Sequence, residues 1–246
     1  MPSLPPLLPV AECAFFFDFD GTLVDLADTP DGVVVSPRVA PLLSALQQAC
    51  DGAVAVVSGR PLAALDAFLG PLRFAAAGAH GAERREVDGR VSRVHAGDPR
   101  LQAMHARLSD TVAAHPGMLL ETKDTALALH YRAVPGKAEV ARAAAEAAVA
   151  AHADVFALQP GKMVYEIKPS GVDKGRAIET FLAGAPFAKR RPVFLGDDLT
   201  DEKGFVVVNR LHGVSIKVGA GDTVAPYRLA TVPAVLDWIE AVLAAR

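Results

Sequence analysis

Short apolar runs alternate along the chain with longer segments whose apolar residues recur at helical spacing. The run Ala14-Phe15-Phe16-Phe17 is wholly apolar and has polar flanks, which predicts a buried strand. Ser36 followed by Pro37 predicts a helix start, with Ser as N-cap and Pro in the first turn, and that helix should end near Gly52. Ala53 to Val57 reads as the next strand, Pro61 to Leu69 as a helix closed by Gly70, and Phe74 to Ala77 as a third strand. Late in the chain the pattern returns. A helix over Asp173 to Leu182, a strand Val193-Phe194-Leu195, a helix near Asp201 to Asn209, a strand Val214 to Val218 and a last helix from Pro233 are expected.

The middle of the chain reads differently. Asp98-Pro99 starts a helix that Pro116-Gly117 stops, and Met118 to Glu121 and Ala126 to Tyr131 look like antiparallel strands turning at Lys123-Asp124. An alanine-rich amphipathic helix over Ala138 to Ala153 follows, then alternating strands at Val155 to Leu158 and Met163 to Ile167. The fold class expected is therefore α/β: a Rossmann-like parallel-sheet core with helices on both faces, plus an inserted α+β lobe. The expected boundaries are residues 1–84 and 169–246 for the discontinuous core and 85–168 for the insert.

Composition narrows the functional classes. The chain has 246 residues, 51% of them hydrophobic, enough for a well-buried core. A net charge of −3 gives no general attraction to nucleic acid or to an anionic membrane, although a local site can still be positive. Cys13 and Cys50 have no metal-ligand spacing and are too few for a disulfide framework, so a reducing compartment is the simplest reading. No basic leader precedes the first apolar residues and no apolar run reaches membrane-span length. A cytoplasmic location is expected.

Three predicted strands run into polar residues. Phe15-Phe16-Phe17 leads into Asp18 and Asp20, Val56-Val57 into Ser58-Gly59-Arg60, and Val193-Phe194-Leu195 into Gly196-Asp197-Asp198 and then Asp201. Ligands of open parallel sheets bind beyond the carboxyl ends of the strands, so these groups should converge in one crevice. Converging carboxylates repel one another, and magnesium, which takes oxygen ligands, resolves that repulsion. Asp18 and Asp197 are the first metal candidates, with the backbone carbonyl of Asp20 beside them. Each aspartate alone could equally be a turn former or a helix cap. Lys174 follows Asp173 at a helix start, where the helix dipole disfavours a cation unless an anion is near. Ser58 could simply cap the next helix.

Asp-Phe-Asp-Gly-Thr-Leu at 18–23, Ser58, Lys174 and Gly-Asp-Asp-Leu-Thr-Asp at 196–201 resemble, in order and strand placement, the four motifs of haloacid dehalogenase-like (HAD) phosphatases. His80-Gly81-Ala82-Glu83, Glu121-Thr122-Lys123, His130-Tyr131-Arg132, Pro160-Gly161-Lys162-Met163 with Glu166, and Gly171-Val172-Asp173-Lys174-Gly175 are similar to the trehalose-6-phosphate phosphatase family. The likeness covers nearly the whole chain after residue 14.

The resemblance implies a magnesium-dependent hydrolysis through an aspartyl phosphate. Asp18 is then the nucleophile, Asp20 the general acid and base, and Ser58 and Lys174 the remaining catalytic residues. Asp18, Asp20, Asp197 and Asp201 would serve the metal, although the sequence does not decide which of Asp198 and Asp201 supports it. The insert becomes a cap whose Glu121, Lys123 and Glu166 bind sugar hydroxyls, with Arg60 and His80 as further substrate contacts. The partner is a phosphorylated disaccharide, and any synthase sits on a separate chain. Two other readings remain: a phosphatase for another sugar phosphate such as sucrose phosphate, and an inactive sugar-phosphate-binding module.

Overall fold

The computed structural model describes every residue except 1, 2, 28, 30, 31, 71, 73, 162 and 246, so Lys162 of the expected Pro-Gly-Lys-Met stretch lies outside the described residues. The chain divides into two compact units, 1–92 with 172–246, and 93–171. The first unit opens with β1 (Cys13–Phe17), α1 (Val39–Ala49), β2 (Val54–Val57), α2 (Leu62–Leu69), β3 (Ala75–Gly78), β4 (Glu83–Arg85) and β5 (Val91–Arg93), whose last residue falls at the boundary with the second unit. The second unit holds α3 (Pro99–Ala114), β6 (Leu119–Thr122), β7 (Leu127–His130), α4 (Ala138–Val149), β8 (Phe156–Gly161) and β9 (Val164–Pro169). The first unit resumes with α5 (Lys174–Leu182), β10 (Arg191–Gly196), α6 (Glu202–Arg210), β11 (Val214–Val218), β12 (Tyr227–Leu229) and α7 (Val232–Ala244).

The first unit is built on one sheet of order β12-β11-β10-β1-β2-β3-β4-β5. From β12 to β3 every pairing is parallel, and β4 runs antiparallel to β3. All five residues of β1 are buried, as expected of a central strand covered on both faces. Side chains alternate across a strand, so Phe15 and Phe17 stack on one face while Phe16 meets Phe181 of α5 and Phe187 on the other. Helices α1 and α7 pack together, as do α5 and α6. The chain winds outward from β1 through β2 and β3, and later from β10 through β11 and β12 in the opposite direction. The crevice beyond the carboxyl ends of β1 and β10 is the topological switch point.

Several expectations shift. Helix α1 begins at Val39 rather than at Pro37, because Ser36 Oγ accepts from the Arg38 amide at 3.4 Å and holds a turn ahead of the helix. The strands β4 and β5 have no apolar alternation to announce them. They belong to the large sheet, so residues 85–92 go with it and not with the second unit. Glu83 on β4 accepts the Leu62 amide at 2.7 Å and so caps α2, whose own N-cap residue, Pro61, offers no side-chain acceptor.

The second unit is a four-stranded sheet of order β6-β7-β9-β8 with antiparallel pairings. Leu127, Leu129, Phe156 and Ile167 point to one face and form a separate core with Leu101, Met104 and Leu108 of α3 and Ala141, Ala148 and Val149 of α4. Asp98 caps α3 by accepting the Arg100 amide at 2.9 Å. Residues 119, 121 and 123 share the opposite face with 128, 130, 166 and 159 by strand alternation and register. Among the described residues no helix is long and apolar enough to cross a membrane.

Candidate active site

Strands β1 and β10 pair with Phe17 opposite Leu195, so Asp18 and the Gly196-Asp197 turn leave the sheet side by side. The Asp18 amide donates to the Leu195 carbonyl at 2.9 Å, continuing the ladder by one residue and fixing where its side chain starts. Asp18, Lys174 and Asp201 are buried, with Asp201 fully so. Lys174, the first residue of α5, reaches Asp18 Oδ1 at 2.8 Å and Asp201 Oδ1 at 2.6 Å. The other Asp201 oxygen accepts the amides of Asp197 and Asp198, both at 3.0 Å. Asp201 thereby ties the turn after β10 to the lysine. Asp198 caps the helical turn that starts at Leu199 by accepting from the Thr200 amide and hydroxyl at 2.6 and 2.7 Å.

Carboxylate oxygens of Asp18, Asp197 and Asp201 lie within 4.8 Å of one another. Burial raises the pKa of Asp18 well above the carboxylate range. Lys174 opposes this and Asp201 adds to it. Burial, then the charges of Asp201 and Asp198, push Asp197 up to about 6, against the pull of Lys174. Asp201 is also raised, by burial, with Lys174 as the main counterweight. For Lys174, burial works to lower the pKa, but Asp18 and Asp201 overcome it and hold the ammonium charged. Three interacting carboxylates against this lysine are an incompletely neutralised, all-oxygen cluster, and such a donor set fits a magnesium ion.

The other core residues gather around this cluster. Ser58, at the end of β2, is buried, and its hydroxyl accepts the Arg60 amide at 3.1 Å. Arg60 reaches Asp20 with Nε at 2.6 Å and Nη2 at 2.7 Å. The His80 ring lies against Gly59, where an added Cβ would stand 2.7 Å from Cε1, and His80 itself has φ +56°. Lys217 was not anticipated from the sequence. It is buried on β11, and its Nζ donates to the Asp197 carbonyl. The signal was there to read, as a lone cation inside the otherwise uncharged Val214-Ser215-Ile216-Lys217-Val218.

In the second unit, Glu121, Lys123 and Glu166 lie on the sheet face opposite the apolar core. Lys123 Nζ and Glu166 Oε1 are 2.7 Å apart, and His130 Nε2 lies 3.0 Å from Glu121 Oε2. Glu121 and Glu166 flank Ala128 in one cross-strand row, and Gln159 continues that row beyond Glu166. His130 and Gln159 thus share the face of the three anticipated residues.

A doubly wound sheet carrying an aspartate at the end of β1, a buried lysine and a carboxylate turn after β10 defines a phosphatase of the haloacid dehalogenase-like class. A trehalose-phosphatase family model matches residues 16–233, and the chain belongs to that family. It is 47% identical over 235 residues to the trehalose-6-phosphate phosphatase of Escherichia coli (strain K12), covering 96% of this chain and 88% of that one. Among solved structures it resembles a trehalose-6-phosphate phosphatase related protein, with TM-score 0.75 and 26% identity over 94% of this chain and 97% of the other. It also resembles the trehalose-6-phosphate phosphatase of Aspergillus fumigatus, with TM-score 0.73 and 25% identity over 96% of this chain and 94% of that one.

Proposed function

We propose that the protein hydrolyses trehalose 6-phosphate to trehalose and phosphate, with Asp18 as covalent nucleophile and magnesium as cofactor. The observation that carries this reading is the buried Lys174 between Asp18 and Asp201, beside Asp197, at the switch point of the sheet. Lys174 holds Asp18 Oδ1, which leaves the other oxygen to attack phosphorus. As that O–P bond forms, the bond from phosphorus to the sugar oxygen breaks, and Asp20 gives the departing oxygen a proton. Asp20 then takes a proton from water, the water oxygen bonds to phosphorus, and the carboxylate of Asp18 is released.

A phosphate dianion approaching a carboxylate at ~4 Å costs on the order of 4 kcal/mol per pair of unit charges at an effective dielectric near 20. Lys174 offsets part of this. Asp18, Asp197 and the backbone carbonyl of Asp20 would hold magnesium, with Asp201 bracing the turn behind them, and the bound ion would supply the rest of the positive charge. Ser58 and the amides after Asp18 hold the phosphate oxygens. Glu121, Lys123 and Glu166 receive the sugar hydroxyls. The two glutamates stand two strand spacings apart, roughly 10 Å, on the scale of a disaccharide.

The test is phosphate release from trehalose 6-phosphate by the purified protein, with magnesium, with chelator, and with Asp18→Asn. Turnover should require magnesium and vanish in the variant. Beryllium fluoride should raise the melting temperature of the wild type and not of Asp18→Asn. Rapid cleavage of sucrose 6-phosphate with none of trehalose 6-phosphate would overturn the substrate and leave the chemistry standing.

A further inference from the structure

Asp20 is held in place by another residue. Arg60 engages both of its carboxylate oxygens, through Nε at 2.6 Å and Nη2 at 2.7 Å, the planar two-point geometry that a lysine cannot reproduce. The guanidinium carbon sits 4.8 Å from the centre of the Phe68 ring and 5.6 Å from that of Phe19. The main chain of Arg60 is fixed as well. Its amide donates to Ser58 Oγ at 3.1 Å, and its carbonyl accepts the Ala79 amide at 2.9 Å. Gly78 packs so closely that a Cβ there would come within 2.8 Å of that carbonyl. The arginine is therefore anchored to the ends of β2 and β3 and to a face of α2 before it meets Asp20.

We propose that Arg60 is a positioning residue for Asp20, setting the plane and rotamer of the carboxyl group that exchanges a proton with the leaving oxygen. This rests on the acid–base role of Asp20 given above. The two donor contacts take one acceptor direction on each oxygen and leave the second direction on each for proton exchange. Asp20 follows the nucleophile by two residues beyond the end of a strand, and its side chain is 30% exposed. A carboxylate in such a place would sample several rotamers without a rigid partner. The contacts to Asp20 engage Nε and Nη2 of the guanidinium, so Asp20 is held along one edge of the arginine.

The experiment compares kcat/KM on a sugar phosphate, whose leaving alcohol needs a proton, with kcat/KM on p-nitrophenyl phosphate, whose leaving group does not. This parameter covers steps only through the first bond cleavage, so it isolates the acid role. Arg60→Met should lower kcat/KM for trehalose 6-phosphate by about 10- to 100-fold, a fraction of what general acid catalysis contributes. On the aryl phosphate the loss should stay within about threefold. Arg60→Lys, which keeps the charge and loses the two-point contact, should fail to rescue the sugar phosphate. In an Asp20→Asn background Arg60→Met should cost nothing further, because both changes remove one function. Equal losses on both substrates, full rescue by lysine, or an additive double variant would each overturn the proposal. If Asp20→Asn itself spared the sugar phosphate, the acid–base reading of Asp20 would fall instead.

Discussion

Gly21 lies against the carboxylate of Asp197 so closely that a Cβ built on it would overlap Asp197 Oδ2, and its φ is +73°. The glycine after Asp20 therefore serves two needs at once. It lets the chain turn sharply past the end of β1, and it lets the turn after β10 approach. Gly21→Ala should cost about 1–2 kcal/mol in backbone strain and should also displace Asp197. Magnesium affinity by calorimetry should fall about tenfold or more, as when a support of a metal ligand is lost. Gly89→Ala provides the control, since Gly89 also has positive φ, +86°, but nothing lies within 4 Å of its Cβ position. Unchanged magnesium affinity in Gly21→Ala would count against Asp197 as a ligand.

Lys174 answers two buried carboxylates, so its removal should do more than stop catalysis. Lys174→Met leaves Asp18 and Asp201 uncompensated, and breaking such a buried pair costs about 3–5 kcal/mol. The apparent melting temperature at pH 7.5 should drop sharply. Without the lysine, both carboxyl groups rise further above their unfolded pKa, so the folded state binds protons more tightly than the unfolded chain. Acid then stabilises the folded form of the variant relative to neutral pH, and its melting temperature should recover part of the loss near pH 5. A variant that melts at the wild-type temperature at pH 7.5 would show that the triad contributes no stability.

The metal-free site should itself be pH-sensitive in the same direction. Asp197 is raised from the ordinary carboxylate value to about 6, and Asp18 and Asp201 are raised too. A raised carboxyl contributes stability that is present below its unfolded pKa and lost as pH climbs through the folded value, so the Asp197 contribution disappears across about pH 4 to 6 and those of Asp18 and Asp201 are lost in the same direction. Asp198 has the opposite sign. Burial acts to raise it, but the Thr200 hydroxyl and the charge of Lys174 hold it below the ordinary value. A bound cation must displace the protons of the raised groups, so metal binding strengthens as they ionise. The rise in melting temperature given by magnesium chloride should be larger at pH 7.5 than at pH 5.0. Equal shifts at the two pH values would contradict a carboxylate site.

What the sequence revealed of this architecture follows the range of the interactions. Strands β1, β2 and β10 were legible because each is a dense apolar run that ends abruptly in a polar residue, and the same junctions place Asp18, Ser58 and Asp197. Asp98 and Asp173 announce α3 and α5 because their capping contacts reach only two or three residues ahead. The strands β4 and β5 were not legible. Glu83-Arg84-Arg85 looks like a charged loop until Glu83 meets the end of α2 and Arg85 meets Asp66 at 2.6 Å. The resemblance makes Arg60 a substrate contact, but its union with Asp20 spans 40 residues and two strand ends, beyond any local pattern. Lys217 acts through a neighbouring strand and was missed for the same reason.

The second unit offers the sharpest check on substrate. Its polar sheet face carries Glu121 and Glu166 on either side of Ala128, with Lys123 bonded to Glu166 and His130 beside Glu121. None of these groups belongs to the Asp18 cluster, so their loss should leave phosphoryl chemistry intact. Glu121→Gln keeps the size and one acceptor, and Glu166→Gln also weakens the hold on Lys123. Each should raise KM for trehalose 6-phosphate by about tenfold, the effect of about 1.4 kcal/mol in binding. Hydrolysis of p-nitrophenyl phosphate should change little, because that substrate has no hydroxyls for the carboxylates to bind. A Lys123→Met variant should follow Glu166→Gln more closely than Glu121→Gln, since Lys123 and Glu166 are directly paired. Losses of the same size on both substrates would remove the sugar-binding role from this face and return the question of specificity to the first unit.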